Sequence, residues 1–418
     1  MKSRVGLVTQ WYDPERASAA QSGVIARSLV AHGHDVDVVT GFPNYPTGKI
    51  YDGYSLKFYQ HDVEGGVRIH RGPLYPSHDA NAARRSLNYL SFALASTLIA
   101  LRHLSHVDVC LVHATPATAS VPAMVMRRLR GLPYVVHIHD LWPDSVLASG
   151  FLSSWQSRLA KRALHTFCDS MYKHAAAIAV TSPGMADRIA QRGVPRSKIH
   201  FVPNWADEEV FEPTEVDQQL RRELGLLAPT TVMYAGNLGE YQDLRTVVYA
   251  AALLRDRADI QFVFVGEGVQ RNALERQVAD LGLRNVVFTG PRTFAEMPRM
   301  LAFGDLQLIT LADLEMFRTT LPSKLVATLA TRRPVLGALI GDAAELVQRS
   351  GAGEVVPPGC PRQMAEAIDR FSQLDPADRD ARAAAGLHHY HEHLDRHTVA
   401  TRLSNLLEDV ARQGVHSR

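Results

Sequence analysis

Residues 133–145, PYVVHIHDLWPDS, carry two imidazoles and a carboxyl group to the end of an apolar run. Side chains alternate along a strand, so His137 and His139 share a face and Asp140 stands at the tip. Such a set suits three kinds of chemistry. It can ligate a metal, although no further cluster of ligands in the sequence completes a coordination shell. It can be structural, a histidine pair with its hydrogen bonds met inside the fold. Or it can meet a substrate, one ring and the acid steering hydroxyls or stabilising charge that develops in a reaction. Beyond it, LWPDS reads as a loop, with Trp142 as a stacking surface and Asp144 as a second acid.

Glycines point to a second kind of chemistry. GNLGEY, residues 236–241, lies between a strand-like and a helix-like run. Gly236 and Gly239, flanking Asn237, let a backbone approach a diphosphate closely, and a helix N-terminus would meet its charge. Glycine also ends strands where no ligand binds, so this signal gains weight only from its neighbours. LPSKLVATLA, 321–330, is one of them. Pro322 suits a first helical turn. Ser323, Lys324, Leu325 and the amides of that turn are placed to hold phosphate oxygens, with Lys324 neutralising charge on a leaving group. The alternative is a solvated lysine at a helix start. VGEG (265–268), with Gly266 and Glu267, and GPRT (290–293), with Arg292, sit at further strand ends.

Positioning these groups takes a repeated scaffold. In the first half, RVGLVTQ (4–10), HDVDVVTG (34–41), DVCLVHA (108–114), PYVVHIHD (133–140), AAAIAVTS (175–182) and KIHFVPN (198–204) read as strands with helical spacing between them. Strands with little polar alternation, separated by helices, mean a buried parallel sheet. After residue 204, VFEPTEVDQQLRRELGLLAPTT reads as a polar, proline-punctuated linker. Alternation then restarts with TVMYAGN, IQFVFVGEG, VVFTG, LQLITLA and PVLGAL. The expected fold is α/β: two Rossmann-like, doubly wound parallel-sheet domains, 1–203 and 204–385, followed by a C-terminal helical segment, 386–418. The cleft between two such domains is the expected ligand site, because strand C-termini and helix N-termini face it. A single last helix is expected over about 376–413, and its HHYHEHLDRH (388–397) is read as a solvated face rather than a metal site.

At 418 residues and 46% hydrophobic, the chain can fill two ordinary cores. A net charge of +2 creates no general demand for a nucleic-acid partner. The three cysteines, Cys110, Cys168 and Cys360, are far apart and form no CxxC spacing, which fits a reducing cytoplasm. MKSRVGLVTQWYD is read as a first buried strand rather than a signal peptide. No segment reaches the roughly 20 apolar residues that span a bilayer. The nearest, RRSLNYLSFALASTLIALRHL (84–104), is either a buried helix or one lying in a membrane surface, with Arg84, Arg85 and Arg102 near lipid phosphates.

RSLVAHGHDVDVVTGFPNYP, HIHDLWPDS, TSPGMADRI, IHFVPNWAD, MYAGNLGEYQDL, FVFVGEGVQRNALE, VVFTGPRTFAEMPRMLAFGDLQLITL and TLPSKLVATLATRRPVL occur in this order. Together they resemble the family-4 glycosyltransferases of the GT-B fold over about residues 4–400. Within that family they look most like the bacterial branch with DLWPDS and PSK that builds surface polysaccharides or related glycoconjugates. The resemblance implies a retaining transferase that moves a sugar from a nucleotide diphosphate, usually UDP, to an acceptor hydroxyl, with no cofactor and no required metal. It implies that the C-terminal domain binds the donor, the N-terminal domain binds the acceptor, and the last helix packs back on the N-terminal domain. The family's sugar-contacting histidine matches His139, with Asp140 beside it and His137 as the buried ring. The implied partners are a nucleotide sugar and a glycan, lipid-linked or small-molecule acceptor. A cytoplasmic location follows, with peripheral contact to the inner membrane face through 84–104 and no role for nucleic acid.

The chain also departs from the family. Many members carry two glutamates eight positions apart before the PV strand; here Thr319 and Ala327 stand at those places. Glu315 and Asp313 lie nearby, and Glu315 joins His139 and Asp140 as a catalytic candidate. The usual Arg and Lys after the first strand of the C-terminal domain are replaced by Asn237 and Gln242, leaving Lys324, Arg318 and Arg292 to balance a diphosphate. The N-terminal loop YDPERASAAQSG (12–23) has alanines and serine where glycines are usual, which allows close approach less freely. These losses motivate an alternative, an inactive GT-B subunit that binds nucleotide or supports a partner transferase. A sugar-nucleotide epimerase would need a hydrolytic acid set that the sequence does not show.

Overall fold

The computed structural model describes residues 2–15, 20–78, 81–144 and 156–416; residues 16–19 of the N-terminal loop and Ser145 fall outside these. The chain forms two compact units, Met1–Pro203 with Val399–Arg418, and Asn204–Thr398.

In the N-terminal unit the chain runs through β1 (Arg4–Val8), α1 (Ala20–Ala31), β2 (Asp35–Gly41), β3 (Gln60–Glu64), β4 (Val67–Gly72), α2 (Ala82–His103), β5 (Val109–His113), α3 (Val121–Arg130), β6 (Tyr134–Ile138), β7 (Ala177–Val180) and β8 (Ile199–Phe201). The sheet order is β3-β4-β2-β1-β5-β6-β7-β8. Every residue of β5 and of β6 is buried, as expected of central parallel strands covered on both faces. Val112 of β5, Val136 and Ile138 of β6 and Val180 of β7 pack with Phe92 and Ala100 of α2 and Met126 of α3 in one core. One element was not read from the sequence. β3 and β4 form an antiparallel hairpin, turned at Gly65 and Gly66, whose φ angles of +56° and +80° suit a two-residue hairpin turn.

α2 begins at Asn81, whose side chain accepts from the amides of Ala83 and Arg84. It is amphipathic rather than buried all round. Phe92, Ala93, Ile99 and Ala100 face the core, whereas Leu87, Leu90, Leu94 and Leu98 are 50%, 55%, 71% and 70% exposed. Their spacing of three and four residues makes one apolar ridge along the outer face. Among the described residues no helix is long and apolar enough to cross a membrane.

The C-terminal unit contains β9 (Thr230–Ala235), β10 (Ile260–Val265), β11 (Val286–Gly290), β12 (Leu306–Thr310), β13 (Val335–Ala338) and β14 (Gly353–Val356). They form an all-parallel sheet in the order β11-β10-β9-β12-β13-β14. The chain builds outward from β9 through β10 to β11, then returns to pair β12 with the other edge of β9. Strand order reverses there, at the kind of switch point where doubly wound sheets bind ligands.

The single last helix expected over 376–413 is two helices, Pro376–His393 and Arg396–His416. The break has a local cause. The Asp395 carboxylate accepts from the Thr398 amide at 2.8 Å, while Glu208 Oε1 accepts from Tyr390 Oη and the Arg396 amide, each at 2.7 Å. The C-terminal unit therefore extends to Thr398 rather than to 385. From Val399 the helix belongs to the N-terminal unit, where Thr401 and Ser404 hydrogen-bond His32 and His34 at 3.1 and 2.7 Å.

Candidate active site

In the C-terminal unit the loops that follow β9, β10 and β11 are joined through backbone alone. The Gly236 amide donates to the Val265 carbonyl at 2.9 Å, Gly266 to Gly290 at 3.0 Å, and Leu238 to Glu267 at 2.8 Å. Gly266 has φ +140°, and a Cβ there would lie 1.9 Å from the Gly236 carbonyl oxygen. Only glycine fits that crossing, because both the conformation and the contact exclude a side chain. Gly236 itself, at φ +138°, would place a Cβ 3.3 Å from Lys324 Nζ. An open backbone thus faces an ammonium group.

Lys324 stands in the first turn of the helix Ser323–Ala330. Its cap, Pro322, makes no side-chain hydrogen bond, so the first amides of the helix have no side-chain acceptor. Lys324 Nζ donates to Tyr234 Oη at 2.6 Å and lies 4.1 Å from the centre of that ring; Tyr234 Oη in turn donates to the Asn237 carbonyl at 2.8 Å. Among the described residues no carboxylate pairs with Lys324. Desolvation pushes its pKa down to about 7, so a nearby anion would stabilise its charged form. Ser323 is exposed. Leu325 is an anchor rather than a ligand: its side chain is buried and its amide bonds the Pro322 carbonyl at 2.9 Å.

The remaining charges divide. Arg318 is held by Glu315 at 3.0 Å and by Asp313 at 3.7 Å, so it is already compensated. Glu315, exposed on a 3-10 turn after β12, is correspondingly tied to Arg318. Glu267 is exposed and pairs with Arg271 at 2.7 Å. Arg292, partly buried after β11, makes no close ion pair among the described residues, although its charge helps to lower the pKa of Glu296. Of the three cations suggested by the sequence, Arg318 is held in close ion pairs, Arg292 has Glu296 only at longer range, and Lys324 has no counter-ion among the described residues. Asn237 is exposed, Gly239 is buried, Thr319 is half-buried and Ala327 is buried.

In the N-terminal unit, parallel pairing of β5 with β6 sets His113 opposite His137. His139, two residues on, lies on the same face. Its ring stacks on His113 with centroids 4.0 Å apart and planes 24° apart, and its Nε2 is 3.3 Å from His137 Nδ1. His137 Nε2 is 3.2 Å from the Val202 carbonyl oxygen. Burial keeps His113 and His137 neutral, with pKa values pushed down to about 3 and about 4. The rings stack and hydrogen-bond with one another rather than pointing at a common centre. Among the described residues no group of three or more His, Cys, Asp or Glu could hold a metal ion.

Asp140 is open to solvent, and desolvation by its surroundings raises its pKa above the ordinary carboxylate range. Trp142 is partly buried, edge-on to Tyr89, and Asp144 is paired with Arg192 at 2.8 Å, so the loop after Asp140 is anchored to the unit's own helices. His113 was missed in the sequence. Its signal was there: VCLVH and YVVHI are adjacent apolar runs, each ending in histidine at equivalent register.

Residues 18–205 match the family described as Glycosyl transferase 4-like domain, and residues 229–373 match Glycosyl transferases group 1. The putative colanic acid biosynthesis glycosyl transferase WcaI of Escherichia coli (strain K12) is 30% identical over 329 residues, 76% of this chain and 79% of its own. The chain belongs to the family-4 GT-B glycosyltransferases. Solved structures agree on the fold. Sucrose-phosphate synthase from Thermosynechococcus elongatus superposes with a TM-score of 0.73 at 16% identity, covering 98% of this chain and 99% of that one. HepE of Anabaena, in complex with UDP-glucose, gives 0.71 at 16% identity, covering 97% and 100%. The glycosyltransferase is therefore built on two doubly wound sheets, as its alternating runs implied, and its activity is sugar transfer.

Proposed function

We propose that this glycosyltransferase is a retaining enzyme that moves a sugar from a UDP-sugar to an acceptor hydroxyl in the synthesis of a surface polysaccharide or related glycoconjugate. The observation that carries the reading is Lys324, an ammonium group without a counter-ion, facing the side-chain-free Gly236 at the switch point of the C-terminal sheet. A diphosphate there would be met by Lys324, Ser323 and the first helix amides, with Gly236, Asn237, Gly239 and the Gly266–Glu267 turn forming the backbone wall and Arg292 supplying a second cation. His139 and Asp140 act on the reacting sugar, and Glu315 is the remaining acid on the donor side. With charge assigned to Lys324 and amides, no metal is required. The names of WcaI and of the HepE complex support the polysaccharide and UDP assignments. A second reading, a nucleotide-binding subunit without turnover, draws on Thr319 and Ala327 and on a Glu315 already held by Arg318.

Millimolar UDP raises the melting temperature, since a ligand that binds only the folded state stabilises it by mass action. Hydrolysis of the stabilising UDP-sugar then proceeds in EDTA. Stabilisation without hydrolysis favours the subunit reading. No response to UDP, GDP or ADP removes the donor site from Gly236 and Lys324. Turnover lost to EDTA and restored by manganese restores a metal to the reaction.

Peripheral membrane contact on the cytoplasmic side is part of the proposal. The ridge of Leu87, Leu90, Leu94 and Leu98, with Arg84, Arg85 and Arg102 at its ends, suits insertion at an anionic surface where a lipid-linked acceptor resides. Each basic residue contributes about 1 kcal/mol, so salt weakens the contact. Vesicles containing anionic lipid should float the wild type at low salt, and Leu94→Asp/Leu98→Asp should stay at the bottom. Equal flotation of both, or of neither, rules out this face.

A further inference from the structure

Tyr234, near the end of β9, ties the lysine of the C-terminal unit to its first glycine loop. An ammonium group only donates, so in the 2.6 Å contact Tyr234 Oη accepts from Lys324 Nζ. The hydroxyl's own proton is then left for the Asn237 carbonyl, 2.8 Å away. Burial raises the pKa of the phenol, so that proton is present across the neutral range. The ring is fixed. It is fully buried, shares a core with Leu238 and Phe264, and has Lys324 Nζ 4.1 Å from its centre. Lys324 brings the opposite character, a flexible four-carbon stem with three donors. Tyr234 Oη is the one hydrogen-bond partner of its Nζ among the described residues. No charged side chain contributes to the shift of its pKa, which burial alone lowers. Tyr234 is thus the titratable group against it. A bare carbonyl oxygen repels an anion, and the Tyr234 proton covers the one at Asn237.

We propose that Tyr234 is a positioning residue of the donor site: its hydroxyl holds the Lys324 ammonium beside Gly236 and fixes the Asn237 peptide, so that cation and loop meet a diphosphate as one unit. This rests on the reading that Lys324 meets the diphosphate, and it adds the group that keeps it in place. Without the hydroxyl two things change together. The charged lysine loses its acceptor, which favours the neutral form. Its stem also regains the freedom of an unanchored side chain. Both effects run through Lys324, so a loss of UDP affinity in Tyr234→Phe requires that lysine to be present.

Tyr234→Phe keeps the ring and its packing and removes only the hydroxyl. Calorimetric UDP titrations of the full chain at pH 7.5 compare wild type, Tyr234→Phe, Lys324→Met and the double variant. Tyr234→Phe should bind UDP about tenfold more weakly than wild type, whereas adding it to Lys324→Met should change affinity by less than about twofold. A loss of equal size in both backgrounds, or no loss in either, overturns the proposal. A second arm needs no ligand. In protein labelled with 13C-lysine, the Lys324 side-chain signal is assigned by its absence from Lys324→Met. It should titrate about one pH unit lower in Tyr234→Phe than in wild type. Titration at the same pH in both proteins overturns the proposal whatever UDP does. If the lysine titrates as expected while Lys324→Met binds UDP as tightly as wild type, the hydroxyl does hold the ammonium, but the donor-site reading falls and the positioning role falls with it.

Discussion

Asp140→Asn lowers turnover by about 10²-fold or more while UDP binds nearly as before. The substitution keeps the shape of the side chain and removes its charge. In a retaining transfer positive charge builds at the anomeric carbon as the diphosphate departs, and a carboxylate fixed nearby stabilises that state more than the ground state. Removing one preorganised electrostatic group typically costs 10²–10³-fold, about 2.7–4 kcal/mol. Asp140 suits the task because it is open to solvent at the tip of a fully buried strand. The measurement is kcat for sugar transfer or donor hydrolysis beside a UDP titration. A wild-type rate in Asp140→Asn would leave Asp144, Asp313 and Glu315 as the acids to examine. Asp144 is tied to Arg192 and the other two to Arg318.

Lys324→Met should weaken UDP binding by roughly 1.5–3 kcal/mol, the scale of a hydrogen bond to a charged group. The same substitution should leave the protein no less stable, because it removes an ammonium that the fold desolvates without a counter-ion. The sign follows from linkage. The Lys324 pKa is lowered to about 7 in the folded protein, so between pH 7 and the ordinary lysine range the unfolded chain binds more protons. This group's contribution therefore becomes more favourable to folding as pH rises through that window. Ligand affinity moves the other way. A diphosphate favours the charged lysine, so UDP affinity falls as pH rises above about 7, approaching that of Lys324→Met. Calorimetric titrations of both proteins from pH 6 to 9 give the comparison. A wild-type affinity independent of pH, or a Lys324→Met protein that binds UDP equally well, would move the phosphate role to Arg292.

Much of the scaffold was legible because parallel strands buried on both faces must be apolar throughout. YVVHI, IQFVFV and LQLIT stand out as short, mostly apolar runs that are buried throughout. The hairpin at 60–72 was harder: β3 is an edge strand with largely exposed residues, and only Gly65–Gly66 marks its turn. In α2 apolar residues occupy both faces, so composition could not separate the buried Phe92 and Ile99 side from the exposed Leu94 and Leu98 side. The glycine loops and Lys324 could be found by spacing. That Arg318 is occupied while Lys324 has no counter-ion could not, since it depends on how a short turn folds Glu315 and Asp313 back onto one arginine. His113 escaped for a similar reason. Its importance comes from strand register, which places it beside His137 across a sequence separation that no local pattern spans.

The return of the last helix makes the N-terminal unit a discontinuous object. Val399, Leu403, Leu407 and Val410 are buried, and Thr401 and Ser404 complete the hydrogen bonds of His32 and His34. The ribosome delivers this last piece only after the whole of the other unit has been made, a delay of roughly ten seconds or more at ordinary synthesis rates. Until then the first sheet emerges with two histidines and an apolar seam open to other chains. A gene fragment ending at residue 203 encodes that unfinished state permanently, whereas one that joins 1–203 to 399–418 through a short linker encodes the whole unit.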